Sequence, residues 1–124
     1  MPSNWIRAGW LEFSNGFLYH AGPGDTDWLP VMNLKGLQQF DPVTDQVAFV
    51  TFYETQARLV MLKTIDGGKT WTRIVLGNIF GEGGYGYYFA FSDAFHGWFL
   101  THHCLLRTTD GGLTWNQIQP SVGY

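Results

Sequence analysis

"TTDGGLTW" (residues 108–115) nearly repeats "TIDGGKTW" (residues 64–71), 44 positions earlier in a chain of 124 residues. A phrase reused at that spacing either performs chemistry twice or builds the same corner twice. Its composition favours the corner. Asp66 and Asp110 can accept hydrogen bonds from backbone N–H groups two or three residues on, and Gly67–Gly68 and Gly111–Gly112 supply the positive φ angles that a tight hairpin demands. Thr64 and Thr108 end the incoming strand. Thr70 and Thr114 open the outgoing one and can bond back to the Asp. Trp71 and Trp115 are large enough to lock the turn onto a neighbouring sheet.

Working outward, Trp28, Trp71 and Trp115 lie 43 and 44 positions apart. A period of that size dictates architecture before any other feature. Around the second and third tryptophans the units align part by part: an apolar strand, a polar turn ("DPVTDQ" or "SDAFHG"), two more strands, the Asp-Gly-Gly turn and a fourth strand. The first unit, "WIRAGWLEFSNGFLYHAGPGDTDWLPV", is degenerate. Pro23 stands where the Asp should be, and there are too few residues for a full third strand. We expect one domain over 1–124, with a truncated unit at 1–33 and full units at 34–79 and 80–124.

The reading is β throughout, with strands expected at 6–13, 16–20, 36–40, 47–53, 58–64, 70–76, 86–92, 97–102, 104–108 and 114–119. Each is short, rich in β-branched or aromatic residues and bounded by Gly, Asp, Asn or Pro. Aromatic residues make up 18% of the chain, charged residues only 14%, and there are 16 glycines. That profile suits strands joined by tight turns and is far from disorder.

The pattern Ser/Thr-x-Asp-x-Gly-x-Thr-Trp, met at every defined position by both phrases, resembles the Asp-box or BNR repeat. In context, "FAFSDAFHGWFL…LLRTTDGGLTW" is most similar to β-propellers of the photosystem II stability/assembly factor type, and less so to sialidases and sortilin-type receptors. The resemblance covers about residues 36–119. It implies an all-β fold of four-stranded antiparallel blades, two complete and one truncated, with the box joining the third and fourth strands. It is specific for fold and nearly silent about function. Because propellers typically close with four to eight blades, the resemblance also implies closure by homo-oligomerisation or within a larger complex.

Several chemistries are disfavoured by the residues. A sialidase-like site resembles a cluster of three arginines with a Tyr/Glu pair, whereas this chain has only Arg7, Arg58, Arg73 and Arg107. Arg107 and its counterpart Lys63 sit just before the repeated phrase, at the blade periphery. No catalytic residue is therefore assigned, and no enzyme is expected. "GEGGYG" (81–86) satisfies Gly-x-Gly-x-x-Gly but runs into a strand and not a helix, so it is no dinucleotide site and no cofactor is expected. "HHC" (102–104) places His102 and Cys104 on one side of a strand without a third ligand, so no metal site is assigned. Trp98 matches the second strand of its unit and is expected in the core.

One loop stands apart. Glu82, Tyr85, Tyr87 and Tyr88 combine flat aromatic faces with a carboxylate, a composition that suits sugar stacking or a protein hot spot as well as packing between blades. With 7 Lys+Arg against 10 Asp+Glu, a formal net charge of −3 and no basic run, nucleic acid is an unsuitable partner. Apolar runs such as "VAFV" fall far short of the about 20 residues of a membrane-spanning helix. "MPSNWIRAGW" does not read as a signal peptide, though the resemblance allows an extracytoplasmic location. Cys104 is the only cysteine, so no internal disulfide forms. The expected role is a non-catalytic binding or assembly module whose partner is a protein, a glycan or a further copy of itself.

Overall fold

The computed structural model describes residues 5–7, 9–13, 16–22, 26–33, 37–55, 58–76, 88–101 and 105–119. They form three antiparallel sheets of four strands each. The first contains β1 (Trp5–Arg7), β2 (Trp10–Glu12), β3 (Phe17–His20) and β4 (Leu29–Asn33). The second contains β5 (Leu37–Pro42), β6 (Ala48–Thr55), β7 (Arg58–Thr64) and β8 (Thr72–Val75). The third contains β9 (Tyr88–Phe91), β10 (Gly97–Leu100), β11 (Leu105–Thr108) and β12 (Asn116–Gln119). Within every sheet the strands pair in sequence order, as in an up-and-down meander. No helix occurs among the described residues.

The first sheet differs from the sequence expectation. The stretch 6–13 is not one strand but two, because the chain reverses at Gly9, whose φ is +85°. A Cβ there would lie 2.7 Å from the carbonyl oxygen of Ala21, and the Gly9 carbonyl accepts the Ala21 N–H at 2.9 Å. Residues 29–33, outside the expected strands, form β4 against β3 despite Pro30. β4 is an edge strand, where a missing N–H is tolerated. The segment 5–33 is thus short in every strand but carries four of them.

Alternation along the strands places the core. In the second sheet Phe40, Ala48 and Val50 pack with Trp10 and Leu18 of the first, while Phe49, Met61 and Ile74 pack with Phe89, Phe91, Phe99 and Leu106 of the third. β6 is accordingly buried on both faces over its first four residues. The Phe49 and Phe91 rings stack at 3.6 Å between centroids, 8° from parallel. Each such side chain contributes roughly 1.5–3 kcal/mol by leaving water. The third sheet is one-sided. Its β9 and β10 alternate between buried and exposed residues.

Trp98 does not join the core. It lies on the outward side of β10 and is substantially exposed, whereas Phe99 beside it is fully buried. The second strands run apolar on both faces, so a sequence reading assigns both to the interior; only the layering separates them.

Candidate functional site

Each repeated phrase links the third and fourth strands of its sheet and closes on itself. The Thr64 hydroxyl donates to Asp66 Oδ1 at 2.8 Å and accepts the Gly68 N–H at 2.9 Å. Asp66 Oδ1 also accepts the Thr70 N–H at 3.0 Å, and Oδ2 accepts the Thr70 hydroxyl at 2.6 Å. Trp71 Nε1 donates to the Gly68 carbonyl at 3.1 Å. Thr108, Asp110, Gly112, Thr114 and Trp115 reproduce the same five bonds. The N–H groups of Thr70 and Thr114 reach their Asp acceptors from four residues on, and the Lys69 N–H, three residues on, also acts on Asp66. Gly67, Gly68, Gly111 and Gly112 have φ of +73°, +91°, +78° and +98°.

These bonds set the electrostatics. Donation from the Thr70 hydroxyl, then the Thr70 N–H and the Thr64 hydroxyl, holds the Asp66 carboxyl down to about 2. The Thr114 hydroxyl, the Thr114 N–H and the Thr108 hydroxyl do the same for Asp110, also to about 2. Both carboxylates are ionised and engaged within their own turns.

The corners also join sheets. Gly67 N–H donates to the Gln46 carbonyl at 3.0 Å and Gly111 N–H to the Phe95 carbonyl at 2.9 Å, tying each corner to the first turn of its own sheet. Each then lies on the preceding sheet: a Cβ on Gly67 would meet the His20 ring at 2.8 Å, and one on Gly111 would meet the Lys63 ammonium. His20 Nε2 in turn contacts the Asp45 carbonyl at 2.5 Å, and Trp10 Nε1 donates to the Thr44 carbonyl at 2.8 Å. Lys63 Nζ lies 5.7 Å from the Phe49 ring centre and 5.2 Å from that of Phe95. Burial lowers the Lys63 ammonium below its ordinary value, and Asp110 opposes that shift. Lys63, just before its own corner, is thus part of the joint with the third sheet.

A second device holds the third sheet. The Gln39 side chain donates to the Phe89 carbonyl at 2.6 Å and accepts the Phe89 N–H at 3.0 Å, so its amide imitates a paired strand. Asp41 Oδ2 accepts the Phe91 N–H at 2.8 Å. No sequence signal marks Gln39 and Asp41 for this task, since both partners lie 50 positions away.

The remaining candidates fall as follows. Tyr88 opens β9 with its side chain exposed. Glu82, Tyr85 and Tyr87, the glycine-rich stretch 81–86 apart from these, and the 102–104 segment lie outside the described residues. Arg58 and Arg73 converge on Glu54, at 3.4 Å and 2.6 Å. The Arg73 hydrogen bond is the main cause of the lowered Glu54 value. Clefts of about 360 Å³ and about 230 Å³ flank the two corners, the first lined by His20, Val31 and Asp66, the second by Lys63, Ile74 and Asp110. They occupy matching places, wedged between a corner and the sheet before it.

No family model and no curated protein matches the chain. Solved structures do. YCF48 bound to D1 peptide matches with a TM-score of 0.60 and 20% identity, over 92% of this chain and 37% of that one. YCF48 from Cyanidioschyzon merolae matches with a TM-score of 0.59 and 21% identity, over 94% of this chain and 39% of that one. The chain therefore spans less than two-fifths of the length of these structures. What is shared at that identity is the fold, a β-propeller of four-stranded antiparallel sheets.

Proposed function

We propose that this chain is a non-catalytic binding module whose partner is a protein segment, met by Tyr88 together with Glu82, Tyr85 and Tyr87, which shortly precede it in sequence. The observation that carries the reading is the exposed Tyr88 ring at the start of β9. A rigid aromatic with two torsions suits a hot spot. YCF48, which shares the fold, is bound to D1 peptide in its own structure, and that supports a peptide partner over a sugar.

In this reading the repeated phrases are Asp-boxes that serve as building devices. The segments 1–33, 34–79 and 80–124 are three blades of one domain. The polar groups of the boxes are consumed by their own turns, which leaves the chain's recognition to aromatic surface and needs no cofactor. The test is binding to an array of extended peptides beside an array of glycans, with Tyr88→Ala as the variant. Peptide binding is expected, weakened about tenfold or more by the substitution at unchanged melting temperature. Binding confined to glycans, or turnover of a glycoside, would overturn it.

A further inference from the structure

The joint between the second and third sheets holds an amine that no acceptor engages. In each sheet a basic residue of the third strand pairs across from an aromatic of the second: His20 with Trp10, Lys63 with Phe49 and Arg107 with Trp98. At the first joint His20 Nε2 is met by the Asp45 carbonyl at 2.5 Å. Lys63 has no equivalent. Among the described residues its ammonium makes neither a hydrogen bond nor a salt bridge. Its surroundings are the Phe49 ring at 5.7 Å, the Phe95 ring at 5.2 Å and the backbone of Gly111.

A cleft of about 230 Å³ reaches this amine. It lies between β8, the corner of the second sheet and that of the third, with Ile65, Ile74 and Leu113 as apolar walls and Thr72 and Asp110 beside them. Ile65 and Leu113 are each 63% exposed and form the rim, while Ile74 is buried and forms the floor. Two opposed effects act on the Lys63 proton. Packing withdraws water from the ammonium and lowers its value, which is the larger effect, and the Asp110 carboxylate raises it. Asp110 is the only charged group lining the cleft besides Lys63, and its oxygens are taken by Thr108 and Thr114. A partly desolvated amine that faces an apolar cavity is an activated nucleophile.

We propose that Lys63 is an acyl-acceptor site, modified by small activated acyl donors of the thioester class that enter this cleft. The ammonium first gives one proton to water. The Nζ lone pair then attacks the acyl carbon, a C–N bond forms, and the C–S bond breaks with its electron pair leaving on the thiolate. A second proton passes from the nitrogen to the thiolate, so the products are a neutral amide and a thiol. The step is stoichiometric and uses no catalytic group of this chain. Because the amide carries no charge, its contact with the two rings and with Asp110 is lost, and the modification acts on the seam between the second and third sheets. The inference does not rest on the peptide-binding reading, since Tyr88 lines no part of this cleft.

The probe is the acetyl thioester of N-acetylcysteamine at trace level, with acetylation of each lysine followed by mass spectrometry from about pH 6 to about pH 10. Lys69, exposed in the corner of the second sheet, is the reference amine within the same chain. Lys63 is expected to react about threefold faster than Lys69 or more near neutral pH, its rate rising at a lower pH. In concentrated urea the two should react alike. Asp110→Asn removes the charge that holds the proton, so the Lys63 profile should move to still lower pH while that of Lys69 stays in place. Lys63 reacting no faster than Lys69 in the folded chain would overturn the inference. So would an advantage that survives in urea, or an Asp110→Asn profile that does not move.

Discussion

Replacing Asp110 with Ala removes one side chain from a closed set of bonds, and the structure says which loss matters. Three donors are stranded: the Thr108 hydroxyl, the Thr114 N–H and the Thr114 hydroxyl. Thr114 is exposed, so water replaces its lost acceptor at little cost. Thr108 is fully buried, and its oxygen remains tied to the Gly112 N–H at 2.9 Å. Its proton loses the acceptor it has in Asp110 Oδ1. Leaving a buried donor unsatisfied costs about 1–3 kcal/mol. The expected loss is about 2 kcal/mol, or about 6–12 °C in melting temperature for a domain of this size.

Asp110→Asn separates geometry from charge. Its amide oxygen still accepts from Thr108 and from the Thr114 N–H, while its amide nitrogen can donate to the Thr114 hydroxyl. It should cost under about 1 kcal/mol. Equilibrium urea unfolding followed by far-ultraviolet circular dichroism measures both variants, with the slope unchanged if only stability is affected. Asp110→Ala within about 0.5 kcal/mol of wild type would refute the reasoning. So would an Asn variant as damaging as the Ala variant.

Trp115→Ala should cost more, roughly 3–5 kcal/mol, because it opens a cavity where the indole meets Phe91 at 6.0 Å and Phe99 at 5.6 Å; calorimetry showing less than a third of that would count against the seam. Gly97→Ala should lose about 1–3 kcal/mol, since its Cβ would lie 2.5 Å from the Phe91 ring, itself stacked on Phe49; a shared substitution with Phe91→Leu should recover part of this, and no recovery would locate the strain elsewhere. Acid should destabilise the fold. Asp66 and Asp110 are held at about 2 against 3.8, so the folded state binds protons less readily than the unfolded chain. Their contribution is present above about pH 4 and is lost as the pH falls towards about 2. An unfolding free energy flat across that window, or an equal acid slope in Asp110→Ala, would refute the assignment.

Much of this architecture was legible because it is local. A carboxylate, two glycines and a threonine within seven residues build the corner wherever they occur, and the same eight-residue phrase therefore built the same five bonds twice. Most strands followed from short apolar runs between turn formers. What escaped the sequence depended on partners far along the chain. Pro30 hid β4, because edge pairing tolerates a residue that local propensity rejects. Gly9 split one expected strand into two, since only the approach of Ala21 reveals the reversal. Phe49 and Trp98 are equivalent by register and similar in chemistry, yet one is buried and the other exposed. Hydrophobicity alone cannot separate them, because burial belongs to the stacking of sheets and not to the residue. The sequence by itself determined the corners and the repeat; the tertiary structure decided which corner lies on which sheet, and which faces remain open to a partner.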